Sequence, residues 1–251
     1  MYGNKGKPLA VFIGIVLTAG MLAAGLRQQN WGLLTTALML TFLILAYLGF
    51  ERGALSSREI GLIAVLGTVA AVARLPFAAI PNLQPVTFMV IVSGFVFGPG
   101  AGFMVGSTAA LVSNFFLGHG PWTLWQMLGW GLAGISAGLL RKLCPRIGTA
   151  GMTLFCFAWG YLYGWIINLW FWTGFLHPLN WESLLAACAA SFWFDTLHAL
   201  GNAVFYLTLG HRIIKILERF RKKITFTPLT KQPAGGEHHR DESMRSSQLC
   251  R

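Results

Sequence analysis

From Ile60 to His211 the chain offers only six acidic or basic side chains: Arg74, Arg141, Lys142, Arg146, Glu182 and Asp195. Six charges cannot wet the surface of a soluble fold of that length. In soluble domains about a quarter of residues are charged; here the share is 11%. A chain immersed in lipid has no such surface to wet, but it must satisfy its backbone N–H and C=O groups internally, as helices do. The apolar runs repeat at about 15–25 residues, a length suited to helices crossing ~30 Å of hydrocarbon. The sequence therefore predicts an all-α, polytopic membrane protein.

The expected spans are 8–27, 32–50, 58–80, 84–97, 102–118, 122–140, 149–173 and 185–211. The 84–97 run is short for a crossing, so it calls for tilt, for shielding by protein, or for a place along a cavity. Lys5 and Lys7 precede the first run, as in a signal peptide. Its apolar part is long and no clear Ala-x-Ala site follows, so a retained helix is expected. Pro76 alone among the prolines falls inside a span and should kink its end. With Met1 inside, Lys5, Lys7, Arg52, Arg58, Arg141, Lys142, Arg146 and the basic segment from Arg212 all fall on the cytoplasmic side. The opposite side receives little beyond Arg27. The positive-inside rule then places both termini in the cytoplasm of a multi-pass cell-membrane protein.

The formal net charge of +11 resides in short loops and the C-terminal segment. It is read as topology and lipid-headgroup contact, and nucleic acid is excluded as a partner. Arg212–Lys223 reads as a basic amphipathic extension at the headgroups; after Lys223 the composition turns polar and irregular, and 216–251 is expected to be a basic, disordered cytoplasmic tail. Cys144, Cys156, Cys188 and Cys250 show no metal or redox spacing and read as packing residues.

Ionisable groups inside a bilayer are costly and mark function or pairing. Arg74 and Asp195 stand alone in their spans at similar depth, so they are expected to pair or to face one wet cavity. Ser191, Asp195, His198 and Asn202 recur at i, i+4, i+7 and i+11, one face of a helix. That stripe is either an interhelical hydrogen-bonding seam or a cavity wall. The outer connectors add Asn82 and Gln84 in Pro-Asn-Leu-Gln-Pro, then Asn114, His119, Trp122, Trp125 and Gln126, and the pair Asn168 and Trp172. Trp122, Trp125, Trp170, Trp172 and Trp181 all map to the outer half, whereas an interfacial belt would decorate both sides. The asymmetry favours an aromatic-lined pocket open to the exterior.

Gly102-x-x-x-Gly106-x-x-x-Ala110 and Gly129-x-x-x-Ala133-x-x-x-Ala137 are close-approach stripes for helix packing. A third set, Ala64, Gly67, Thr68 and Ala71, suits internal packing or a partner helix equally. Gly98-Pro-Gly-Ala-Gly lacks the Lys-Ser/Thr of a nucleotide loop and reads as a tight inner turn. No His-Glu-x-x-His motif or credible nucleophile–base pair occurs, so neither an enzyme nor a bound metal or cofactor is expected.

The stretch from Arg58 to about Gly134 resembles the substrate-binding (S) components of energy-coupling factor (ECF) transporters. Pro-Asn-x-Gln-Pro, Ser-Gly-x-x-x-Gly-Pro-x-x-Gly, Ser-Asn-Phe-Phe and Gly-x-Gly-Pro-Trp-Thr-x-Trp-Gln-Met look like the cobalamin-type branch. The resemblance implies a six-helix core over 58–215, with 1–57 a two-helix addition. It implies vitamin capture at the outer face, with cobalamin or a related corrinoid as the transported ligand. It also implies docking on a transmembrane coupling subunit with two ATPase subunits through small residues of the first core helix, here Ala64, Gly67, Thr68 and Ala71. The alternative is a self-sufficient secondary transporter coupling protons through Arg74, Asp195 and His198. A membrane enzyme or a helix-packing assembly factor is a third reading.

Overall fold

A computed structural model describes residues 6–51 and 57–225. It is all helix: α1 (Gly6–Gln28), α2 (Trp31–Glu51), α3 (Ser57–Arg74), a 3-10 turn (Leu75–Phe77), α4 (Val86–Phe97), α5 (Pro99–Leu117), α6 (Trp122–Leu143), α7 (Thr149–Phe175) and α8 (Trp181–Phe205). A π-turn (Tyr206–Gly210) then leads into α9 (His211–Thr225). Among the described residues five helical stretches are long and apolar enough to cross a membrane: Trp31–Gly49, Ser57–Phe77, Pro99–Leu117, Thr149–Phe175 and Trp181–Lys223. At 23 and 22 residues, α1 and α6 match that length. The protein is a multi-pass membrane protein.

Helix ends follow the local chemistry. The lack of an N–H and the ring bulk of Pro76 end α3 at Arg74 rather than bending a longer helix, and the chain turns off through 75–77. Arg74 is thus the last residue of its helix, beside the connector 75–85. Gly98, at φ 98°, is the whole turn between α4 and α5, a conformation that suits glycine. Asn180 caps α8 by accepting from Ser183 N at 2.9 Å, with the Ser183 hydroxyl answering the Asn180 N–H.

The short α4 sits at the centre. Its 12 residues extend about 18 Å, and ten of them are buried. It is shielded by protein, the second of the three options open to it. What lets its neighbours close in is backbone contact. A Cβ on Gly134 would collide with the backbone of Gly102, and one on Gly94 with that of Gly134. Helices α4, α5 and α6 therefore touch main chain to main chain, as small-residue stripes permit. Gly106 lies against the backbone of Trp130 and Gly131, and Ala110, Ala133 and Ala137 are buried. Gly129 packs on the Tyr163 ring.

The α1–α2 hairpin lies against α6 and α7. Tyr47 donates to Ser107 Oγ at 2.8 Å, and Thr35 and Thr173 share a bond of 3.1 Å. The family-like part, α3–α8, forms the remaining bundle. The eighth span does not stop at residue 211: helix continues to Thr225, so residues 216–225 are ordered α9 rather than disordered tail. Residues 226–251, with Cys250, lie outside the described residues. Leu217 is buried, Ile213 and Ile214 pack on the core, and Arg212, Lys215, Arg219, Lys222 and Lys223 are exposed. Glu218 bonds Arg141 at 3.1 Å, and Arg221 Nη1 donates to Val96 O at 2.9 Å.

Candidate substrate site

The connectors 75–85, 118–121 and 176–180 gather at one end of the bundle, while Gly98, 144–148 and α9 lie at the other. The first end holds the densest buried polar chemistry. Arg74, only 9% exposed, reaches from the last turn of α3. Its Nε donates to Gln84 Oε1 on the 75–85 connector. Its Nη1 donates to Ser113 Oγ at 2.9 Å and Asn114 Oδ1 at 3.0 Å, both on α5. Asn114 passes the network to α6: its Nδ2 donates to Thr123 Oγ1 at 2.9 Å and Gln126 Oε1 at 2.7 Å. The guanidinium lies 5.1 Å from the centre of the Trp130 ring, whose π face favours a cation.

A second chain starts from that ring. Trp130 Nε1 donates to Thr87 Oγ1 at 2.8 Å, and Thr87 lies 2.8 Å from His198 Nε2. His198 Nδ1 bonds the carbonyl of Asn82 at 2.8 Å. A carbonyl can only accept, so Nδ1 carries the proton and Nε2 takes the Thr87 hydroxyl hydrogen. Tyr163 completes the layer, stacked between Trp130 (4.9 Å) and His198 (5.3 Å). Six segments thus meet here: α3, the 75–85 connector with α4, α5, α6, α7 and α8.

Several expected site residues join this cluster, namely Arg74, Asn82 through its carbonyl, Gln84, Asn114, Gln126 and His198. Asp195 does not. It accepts from Ser191 Oγ at 2.7 Å, and Ser191 accepts from Asn168 Nδ2 at 2.7 Å. The Asp195 carboxylate also lies against Gly164, where any larger residue would strike it. Of the two arrangements expected for Arg74 and Asp195, the ion pair is not formed: each has its own neutral partners, and the Asp195 carboxylate is turned onto Ser191 and against Gly164 of α7. The α8 stripe splits accordingly. Ser191 bonds Asn168 of α7 and Asp195 of its own helix, His198 bonds toward α4, and the fully buried Asn202 has no partner for either amide atom among the described residues.

The tryptophans also divide. Trp125 is buried with its Nε1 unpartnered among the described residues, and Trp122 packs edge-on against Trp170 at 5.8 Å. Trp172 donates to Ser183 Oγ at 2.8 Å and so pins the α7–α8 turn. Trp181 is 77% exposed and lines nothing. His119 is exposed, edge-on to Phe115. In the expected docking set, Gly67 is buried against Thr108 and Val105, and Ala71 is buried as well. Ala64 and Thr68 face outward, along with Gly61, Val65 and Val72. The open face of α3 is rotated from the expected one, because Gly67 and Ala71 serve the close approach of α3 to α5. Thr87, Ser113, Thr123, Trp130 and Tyr163 were not expected in the site. Thr87 and Ser93 are the two hydroxyls in the otherwise apolar 86–97 run, and Thr87, beside the 75–85 connector, was the sequence clue.

A family model described as ECF transporter, substrate-specific component matches residues 58–210, from the first turn of α3 to the end of the π-turn. The chain belongs to that family. This substrate-specific component carries α1, α2 and α9 outside the matched stretch. A UPF0397 protein of Aliivibrio salmonicida (strain LFI1238) is 31% identical over 97 residues, covering 37% of this chain and 52% of that protein. The chain spans about half the length of that curated relative. No solved structure matches it.

Proposed function

We propose that this ECF substrate-specific component captures a small-molecule substrate at the bundle end formed by connectors 75–85, 118–121 and 176–180. That end faces the exterior, with both termini in the cytoplasm. The observation that carries this reading is the convergence of buried polar groups from six segments around Arg74. Interhelical hydrogen bonds alone need two helices; here donors and acceptors from distant parts of the chain meet beside the connectors.

Energy for uptake comes from partners, a transmembrane coupling subunit and two ATPase subunits. The docking face is the open stripe of α3, with Gly61, Ala64, Val65 and Thr68. The α1–α2 hairpin supports this assignment, since it packs on α6 and α7, and Gly61, Ala64, Val65 and Thr68 are exposed among the described residues. The corrinoid reading, cobalamin or a relative as the vitamin carried, rests on the motif string 81–127. The proton-coupled carrier needs Arg74, Asp195 and His198 in one relay, and the separate bonding of Asp195 argues against it.

The test is titration of the purified protein, in detergent or nanodiscs, with cobalamin and cobinamide, read by tryptophan fluorescence. Saturable binding weakened at least tenfold by Gln126→Ala is expected. Binding of another vitamin with no corrinoid response refutes the corrinoid assignment alone. Uptake by the lone chain that follows a proton gradient refutes the capture role.

A further inference from the structure

Arg74 is a nearly buried cation held only by neutral groups. Its acceptors are an amide oxygen of Gln84, a hydroxyl of Ser113 and an amide oxygen of Asn114, with the Trp130 π face beside it. Among the described residues no carboxylate pairs with it; the buried acid, Asp195, is engaged with Ser191. The bonding is also incomplete in a directional way. The Nε hydrogen and both Nη1 hydrogens have acceptors, whereas Nη2 has none among the described residues. The two Nη2 hydrogens lie on different edges of the guanidinium, one beside Nε–H and one beside an Nη1–H, and each is a charged donor suited to a carboxylate or phosphate oxygen. In the first turn of α6, Trp125 Nε1 is also buried without an acceptor among the described residues.

We infer that the substrate of this site is an anion, a small molecule whose carboxylate or phosphate oxygens bond Arg74 Nη2 and supply the negative charge the protein withholds. The inference rests on the capture reading above and narrows it to a chemical class; among corrinoids, cobalamin meets it through its phosphodiester and cobinamide does not. Neutral partners are what an anion site requires. A protein carboxylate on Arg74 would compete with the ligand, while amides and a hydroxyl orient the guanidinium without cancelling its charge. A lipid phosphate offers the same oxygens. The burial of Arg74 among α3, α5, α6 and the 75–85 connector favours a soluble anion over a headgroup.

The experiment adds a competing charge from within. Gln84→Glu is isosteric and places a carboxylate on Arg74 Nε. Wild type and Q84E are solubilised gently, and any retained small molecule is identified by native mass spectrometry followed by extraction. Both proteins are also probed by thermal shift with matched pairs that differ in charge: pantothenate against panthenol, biotin against its amide, pyridoxal phosphate against pyridoxal. The expected result is a retained or stabilising ligand that bears a carboxylate or phosphate, whose neutral counterpart fails. Its affinity drops at least tenfold in Q84E, which remains monodisperse and as heat-stable as wild type. Arg74→Lys, which keeps the charge but loses the planar array of donors, gives a smaller loss. A retained or stabilising ligand that is neutral overturns the anion assignment and leaves capture standing. So does an anion that binds Q84E as tightly as wild type. A retained phospholipid that exchanges with added lipid overturns the soluble-substrate form. No ligand retained, and no shift with any probe pair or corrinoid, overturns both readings.

Discussion

Thr87→Val removes one hydroxyl and changes almost nothing in volume, yet it strands two groups. Trp130 Nε1 loses its acceptor and His198 Nε2 its donor. Thr87 and Trp130 are 0% exposed and His198 1%, so neither water nor lipid can replace the lost partner. Hydrogen bonds between membrane helices average about 0.6 kcal/mol when both sites can find other partners, which gives a floor near 1 kcal/mol for two. A buried group left unsatisfied costs about 1–3 kcal/mol. Complete enclosure favours the second regime, hence about 2–4 kcal/mol for the pair. At roughly 2–4 °C per kcal/mol for a chain of this size, T87V should melt about 5–15 °C below wild type in detergent. Thr87→Ser is the control: it keeps the hydroxyl and loses one methyl, about 1 kcal/mol, or a few degrees. A T87V melting point equal to or above that of T87S refutes the chain from Trp130 to His198.

Gly134→Ala should cost about 1–3 kcal/mol or block folding, because its Cβ overlaps the Gly102 backbone; a wild-type elution profile and melting point would contradict the main-chain contact. Gly98→Ala meets open space but keeps φ 98°, so its loss of about 1–3 kcal/mol is conformational and should not disturb α4–α6 packing, as read by near-UV circular dichroism. Thr68→Trp should leave ligand titrations unchanged while abolishing ATP-dependent uptake with the coupling subunit; unchanged uptake moves the docking face elsewhere. Glu218→Gln removes a partly exposed ion pair with Arg141, so its melting point should fall by less than about 1 kcal/mol equivalent, and the difference should vanish in high salt.

The helices were legible because scarcity of charge and the length of apolar runs are properties of contiguous sequence. The ends of α4 were marked by Pro85 and Gly98. Arg74 could be singled out as costly, but its partners could not. Gln84, Ser113 and Asn114 lie 10, 39 and 40 residues away, and matching depth alone selected the opposite charge of Asp195. A cation can equally be solvated by dipoles, and the choice rests on contacts between segments far apart in sequence. The α8 stripe was read as one surface because its residues share a helix face. That face is wide enough to touch both α7 and α4, and the polar groups divide between them. Likewise Gly67 and Thr68 are adjacent in sequence, but a turn of about 100° per residue sends one inward and the other to lipid.

Where Gly94, Gly102 and Gly134 bring three backbones together, no side chain stands between them to rotate and absorb movement. Rotamer changes, the usual lubricant of sliding helices, have no purchase at that point. Any rearrangement that admits or releases a ligand must then leave α4, α5 and α6 as one solid wedge. The displacement falls on the connectors and on α3, α7 and α8, or the whole molecule tips in the bilayer without changing its interior.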